Sequence, residues 1–208
     1  MVEKSGEEAA RQRRETQRKA IERDNLSDIH VQNCRVFPTR TALVADLEPE
    51  GIGVEVGVAY GSFTKTLLKE AKPTKLHLVD SWDSERYSPG KLKVEARFED
   101  EIRSGQVMVN QGLSVDVMPN FDDRYFDWIY LDTNHSYETT AAELKLAAQK
   151  VKPGGLILGH DYCIGNPVAP YVYGVIPAVN EFCVTAAWEL TALSVETYGF
   201  WTFCIRKL

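Results

Sequence analysis

Two groups of residues in this chain have the types and spacing to do chemistry. The first begins with Glu55-Val56-Gly57-Val58-Ala59-Tyr60-Gly61, followed by Ser62. Glycine at 57 and 61 removes Cβ where the chain must turn sharply and let a ligand touch the backbone. Asp80 comes 23 residues after Gly57 (80 − 57), near the ~20-residue offset at which an acid holds ribose hydroxyls in nucleotide-binding sheets. A carboxylate accepts from two vicinal hydroxyls at once, so an adenosine-bearing ligand is implied. The dinucleotide fingerprint is G-x-G-x-x-G, whose backbone approaches a pyrophosphate. Here the pattern is Glu55-x-Gly57-x-x-x-Gly61 instead. Glu55 puts an anion where a pyrophosphate would pass, which repels phosphate and suits a cation. S-adenosylmethionine, with adenosine at one end and sulfonium and ammonium charges at the other, fits that pattern.

The second group is Asp132-Thr133-Asn134-His135 and His160-Asp161-Tyr162-Cys163. Each follows a run of apolar residues. An unpaired acid at the end of a buried strand is costly, so Asp132 points to a functional role. His160 and Asp161 either pair with each other or serve the site. His135 directly precedes a helical segment and acts either as its cap or as an acid–base group. His77 lies inside a strand buried on both faces and reads as a core histidine with its partners satisfied.

These residues must be held by regular elements. Strands are expected at 52–57, 75–80, 106–109, 127–132 and 156–158. Helices are expected at 61–71, 91–104, 136–151 and 175–187, from apolar residues recurring on one helical face. Pro153-Gly154-Gly155 reads as a turn. Two further strands, 188–196 and 199–207, flank Thr197-Tyr198-Gly199. Alternating strands and helices predict an α/β, doubly wound, mostly parallel sheet with helices on both faces. The short final turn makes its two strands antiparallel, so one strand of the sheet is reversed. Ligands of such a sheet bind beyond the carboxyl ends of the strands, where both residue groups fall.

Composition narrows the function. Apolar residues make up 44% of the 208 residues and charged residues 26%, which excludes a disordered chain. The net charge of −6 disfavours nucleic acid as a partner, because an acidic chain gains nothing from counterion release. No apolar run is long enough for a membrane span, and the N-terminus lacks the apolar core of a secretory signal, so a cytoplasmic protein is expected. The four cysteines form no C-x-x-C pair and read as free thiols. Residues 3–24 carry thirteen charged residues and predict a helix with a thin apolar face. It is a candidate contact for a homodimer.

Five stretches, GVEVGVAYGSF, LHLVDSW, VNQGLSVDVMPNF, FDWIYLDTNHSYETTAAEL and VKPGGLILGHDY, resemble the ordered motifs of class I S-adenosylmethionine-dependent methyltransferases. Within the class the likeness is to small-molecule O-methyltransferases of the catechol and macrocin types. The resemblance implies a seven-stranded Rossmann-like methyltransferase fold over residues 31–208, with residues 1–30 a charged helical extension. It implies that Glu55, Gly57, Tyr60, Gly61 and Ser62 surround the methionine part of S-adenosylmethionine. Asp80 would hold the ribose, Trp82 would lie by the adenine or the entrance, and Gly112 and Ser114 would contact the adenine. Asp132 would border the cofactor and belong to the catalytic group with His135, His160 and Asp161.

The resemblance also puts Asp132, His160 and Asp161 on a divalent-metal set. Magnesium prefers oxygen ligands, and a set containing histidine suits manganese, iron or zinc as well. A metal-free site with His160 or His135 as base is the other arrangement. The implied reaction is in-line methyl transfer to a small-molecule acceptor, at a hydroxyl oxygen whose proton a base or metal removes. Acceptor recognition is expected from Ser84–Lys91 and Tyr162–Gly174. Two other classes fit the same sheet: a catalytically silent adenosyl-binding domain and a nucleotide-dependent oxidoreductase. The absent G-x-G-x-x-G and the presence of Glu55 argue against the latter.

Overall fold

The structure is a computed structural model that describes residues 8–9, 11–16, 19, 25–166 and 171–208. The expected helix at 3–24 lies partly outside the described residues; those described between 8 and 19 are helical and exposed.

The chain then runs through β1 (Arg35–Phe37), α1 (Arg40–Val44), β2 (Ile52–Val56), α2 (Ser62–Glu70) and β3 (Lys75–Asp80). Next come α3 (Gly90–Arg97), α4 (Glu99–Ser104), β4 (Val107–Gln111), α5 (Ser114–Val117) and β5 (Phe126–Leu131). After α6 (Tyr137–Lys150) and β6 (Val151–Gly159), a ribbon of β7 (Gly165–Asn166) and β8 (Tyr171–Val172) precedes α7 (Val175–Ala186). The last strands are β9 (Trp188–Ser194) and β10 (Phe203–Lys207).

One sheet has the order β1-β9-β10-β6-β5-β2-β3-β4. β10 is antiparallel to β6 and β9, and every other pairing in that sheet is parallel. The reversed strand is therefore where the terminal hairpin puts it. The sheet has eight strands rather than the expected seven. The extra one is β1, whose three residues pair in parallel with β9 at the sheet edge and are too few to show a period.

Side chains on successive strand positions point to opposite faces. On β5, Ile129 and Leu131 join the layer under α6 and α7, while Trp128 and Tyr130 join the layer under α2 and α3. Coverage on both faces explains why the central strands are nearly all apolar. Expected boundaries change in several places: the last strands, expected at 188–196 and 199–207, run Trp188–Ser194 and Phe203–Lys207, so their connection is 195–202. The helix at 91–104 breaks at Phe98 (φ −114°, ψ 30°), and its apolar period survives because Val94 and Phe98 both face the core. The turn at 153–155 is a bulge inside β6: pairing with β5 jumps from Phe126–Val151 to Trp128–Leu156.

His77 is buried as expected, but only half satisfied. Its Nε2 lies 3.3 Å from the Tyr125 hydroxyl, whereas Nδ1 has no hydrogen-bond partner among the described residues. Burial among Phe121, Tyr125 and Phe126 lowers its pKa to about 4. All four cysteines are free. No helix among the described residues is long and apolar enough to cross a membrane.

Candidate active site

The carboxyl ends of β2, β3, β4 and β5 surround a cleft of about 770 Å³. Glu55, Gly57, Tyr60, Ser62, Asp80, Gly112, Ser114, Asp132 and His135 all line it. Nine of the residues singled out in the sequence thus share one cavity.

Gly57 is where β2 ends. Its N–H donates to the Val79 carbonyl at 2.8 Å, and its φ is +93°. A Cβ there would lie 1.9 Å from the Asp132 carbonyl oxygen, so only glycine passes between β2 and β5. Asp80 shapes the same loop. Its Oδ2 accepts from the backbone N–H groups of Val58 and Ala59, both at 2.8 Å, and Oδ1 accepts from Trp82 at 2.9 Å. These bonds use about three of the roughly four acceptor positions of a carboxylate. Gly61, at φ +69°, lies outside the cleft lining and starts α2.

Trp82 does not reach the cleft. Its φ of +46° turns the side chain inward, where it is 3% exposed and its indole N–H donates to the Ala59 carbonyl at 2.8 Å. It supports the glycine loop from beneath instead of facing the adenine or the entrance.

Glu55 is buried at the floor and accepts from the Thr64 hydroxyl. Burial raises its pKa to about 8, against the opposing pull of that hydrogen bond. Glu143, on the buried side of α6, is a residue the sequence reading missed. It accepts from Ser114 Oγ at 2.6 Å and Thr133 Oγ1 at 2.9 Å, tying together the segments after β4 and β5. Burial raises its pKa to about 7, with both hydroxyl bonds pulling it down. A carboxylate among Thr140, Leu144 and Ala147 on the core side of α6 was the available signal.

Beyond β5 and β6, Asp132, His135 and Asp161 offer ligand atoms within 4.8 Å of one another. His135 Nε2 is 2.8 Å from Asp161 Oδ2 and 3.4 Å from Asp132 Oδ1. Burial disfavours charge on His135, but the bonds and negative charges of Asp132 and Asp161 outweigh it and hold its pKa at about 9. Burial likewise opposes the Asp161 charge, yet His135 and His160 keep that carboxyl well below the usual range. The helix cap is Ser136, which accepts from the Thr139 N–H, so His135 is not the cap.

Asp132 and His135 line the cleft, whereas Asp161 and His160 do not. His160 Nδ1 lies 3.4 Å from Asp161 Oδ2 and 3.9 Å from Asp132 Oδ2 and borders a void of about 10 Å³ beside Phe203. His135, rather than His160, completes the set of ligand atoms with Asp132 and Asp161. Parts of both expected acceptor segments also border the cleft, through Arg86 and Tyr87 on one side and Asn166, Tyr171 and Tyr173 on the other. The Tyr173 ring packs on His135 at 4.6 Å. Arg40, the first residue of α1, is a second lining residue not anticipated from the sequence.

A protein family described as a methyltransferase domain matches residues 54–162, more than half of the chain. No curated protein sequence matches. Among solved structures, a protein from Corynebacterium glutamicum is similar at 16% identity and TM-score 0.60, over 96% of this chain and 90% of its own. A candidate rRNA methylase from Clostridium thermocellum is similar at 14% identity and TM-score 0.60, over 80% and 91%. An O-methyltransferase from neocarzinostatin biosynthesis, solved with S-adenosylmethionine and 2-hydroxy-5-methyl naphthoic acid, is similar at 17% identity and TM-score 0.58. That match covers 81% of this chain and about half, 53%, of the other.

Proposed function

The chain belongs to the methyltransferase-domain family, as a class I enzyme dependent on S-adenosylmethionine, and we propose that its acceptor is the hydroxyl oxygen of a small molecule. The observation that carries this reading is that Asp132 and His135 open onto the same cleft as the glycine loop and Asp80. An acid–base pair beside a loop suited to a sulfonium ligand can remove a proton from the group being methylated.

In the reaction an acceptor oxygen attacks the methyl carbon in line with the carbon–sulfur bond. The bonding pair returns to sulfur, leaving S-adenosylhomocysteine, and the hydroxyl proton must leave. His135 carries a proton near neutral pH, so the proton-accepting role is assigned to Asp132, which lines the same cleft. The His135 imidazolium, oriented by Asp161, would stabilise the negative charge left on the acceptor oxygen when its proton departs, before that charge is spent on the new carbon–oxygen bond. The glycine loop and the acceptor segments supply the alignment on which displacement depends.

The oxygen–nitrogen–oxygen donors of Asp132, His135 and Asp161 also fit a divalent metal such as manganese, iron, zinc or magnesium. A bound metal would polarise the acceptor hydroxyl and ease loss of its proton. His135 must be neutral to be a ligand, so metal and proton exclude each other there. The reading extends to a diffusible acceptor met in the cytoplasm, with nucleic acid disfavoured by the net charge of −6.

The test is transfer of a labelled methyl group from S-adenosylmethionine to a panel of hydroxylated small molecules, with and without chelator. Label appearing as a methyl ether supports the proposal. Label on nitrogen alone, or on ribosomal RNA alone, would replace the acceptor. Tight binding of S-adenosylhomocysteine with transfer to nothing would mark a silent binding domain.

A further inference from the structure

We propose that Glu143 is a positioning residue for the reaction: its carboxyl group anchors the loop that carries Asp132 and His135 to the segment after β4. The inference rests on the roles proposed above for Asp132 and His135 in methyl transfer. Glu143 acts through Thr133, which stands between those two residues in the loop.

The two oxygens of Glu143 serve two different segments. Oε1 is 2.6 Å from Ser114 Oγ, and Oε2 is 2.9 Å from Thr133 Oγ1. Ser114 is the first residue of α5, and Thr133 follows the end of β5. The Ser114 end of this bridge is itself held. The Gly112 N–H donates to the Asp80 carbonyl at 2.9 Å, and the Val117 N–H donates to the Leu113 carbonyl at 3.0 Å. A run of short contacts therefore leads from the end of β3, through α5 and Glu143, to the loop after β5.

The helix that follows the loop grips it at consecutive residues. Glu143 takes Thr133, and Thr139 Oγ1 accepts from Asn134 Nδ2 at 2.9 Å. Thr139 and Glu143 are four positions apart on α6, so they share one of its faces. The Ser136 N–H donates to Asn134 Oδ1 at 3.0 Å, and the Gly174 N–H donates to the His135 carbonyl at 2.8 Å. These last ties hold the loop to α6 and to the start of α7. The Glu143 bridge, by contrast, fastens it to the segment after β4.

Packing alone does not call for an acid here. Glu143 is 2% exposed and sits beside Leu144 and Ala147 on the core side of α6, where leucine would fill the same space without the cost of burying a carboxyl group. What leucine cannot do is join two hydroxyls. An ionised carboxylate accepts from both, and a protonated one donates to one and accepts from the other. A glutamine amide has the same pair of capacities, so the bridge depends on hydrogen bonding and not on charge.

The test follows amide hydrogen exchange at Ser136 and Gly174 in the full chain by nuclear magnetic resonance, beside turnover on the best acceptor of the hydroxylated panel. Glu143→Leu and Ser114→Ala should each speed exchange at both amides by about 5- to 50-fold, the worth of one or two buried hydrogen bonds. Amides of β2 should keep their wild-type rates. Glu143→Leu should also lower kcat by about 10-fold with less change in KM for S-adenosylmethionine, because alignment and not binding is lost. Glu143→Gln should restore most of both. Wild-type exchange in Ser114→Ala, a loss in Glu143→Gln equal to that in Glu143→Leu, or unchanged kcat in Glu143→Leu would each overturn the assignment. If Glu143→Leu does not fold, Ser114→Ala and Thr133→Val decide it by the same readings. Exchange needs no acceptor, so a protein that transfers no methyl group would defeat the functional reading while the anchoring of the loop is still decided.

Discussion

His135 and Asp161 meet at 2.8 Å, and both hold left-handed backbone, with φ of +62° and +58°. Side chains other than glycine rarely adopt this conformation, and each instance costs on the order of 1–3 kcal/mol. The segments leaving β5 and β6 are therefore both forced into a turn that aims these two side chains at each other. The Gly174 N–H, donating to the His135 carbonyl at 2.8 Å, fastens the first of them.

Asp161→Asn removes the charge that orients His135, and Asp132→Asn removes the proton acceptor. Each should lower turnover by about 10²- to 10⁴-fold, the usual worth of a positioned acid–base group. Affinity for S-adenosylhomocysteine should change little, since Asp80 and the glycine loop remain. Steady-state kinetics beside a binding titration separates the two effects. A variant that keeps normal turnover would remove its residue from the mechanism.

Gly57 and Gly154 both have positive φ, of +93° and +79°, yet they should respond differently to alanine. At 57 the new Cβ meets the Asp132 carbonyl, whereas at 154 nothing lies within 4 Å. Gly57→Ala should abolish cofactor binding. Gly154→Ala should cost about 1 kcal/mol of stability from strained backbone and leave binding unchanged. Paired thermal melts and titrations decide it; equal effects at both sites would contradict the structure.

Cofactor binding should release a proton from Glu55. Burial keeps its pKa at about 8, so the free protein holds it mostly neutral at pH 7. A bound ammonium favours the ionised form and lowers that pKa. Affinity for S-adenosylhomocysteine should therefore rise as pH increases from 6 towards 8. Calorimetry at pH 7 in buffers of different ionisation enthalpy counts the proton, and Glu55→Gln should abolish the release. A count of zero in the wild-type protein would argue against the pairing.

His77 ties stability to pH. In the unfolded chain its pKa is about 6.5, but in the fold burial depresses it to about 4. Above 6.5 the ring is neutral in both states and contributes no pH dependence. As pH falls below 6.5 only the unfolded chain takes the proton, so stability falls until about pH 4, by at most about 3 kcal/mol. His77→Phe should lose less stability than wild type between pH 7 and 4.5 in denaturant titrations. Parallel losses would mean that His77 is not the sensor.

Much of the fold and part of the site were legible because they depend on local pattern. Gly57, Asp80 and Asp132 sit at predictable strand ends, and the apolar runs of β2, β3 and β5 are long enough to read. What was hidden depends on contacts between distant segments. Trp82 follows an acid at a strand end, yet a positive φ turns it into the core. His160 and His135 are indistinguishable as letters, and only the left-handed turn at 135 brings that ring forward to Asp161. Arg40 belongs to a five-residue helix fixed by Glu196, 156 positions away, and no local pattern signals that bond. Glu143 was disguised by the apolar face of the helix that carries it.

The reversed strand β10 has a consequence for how the molecule comes into being. It lies between β6 and β9, and β1 reaches the sheet only through β9. During synthesis the strands β2 to β6 can assemble as they emerge, but β1 and β9, which pair with each other, have no link to those strands until residues 203–207 have left the ribosome. The earliest strand of the sheet thus waits for the latest. Arg40, anchored to the loop between β9 and β10, reaches its final position only after that delayed closure.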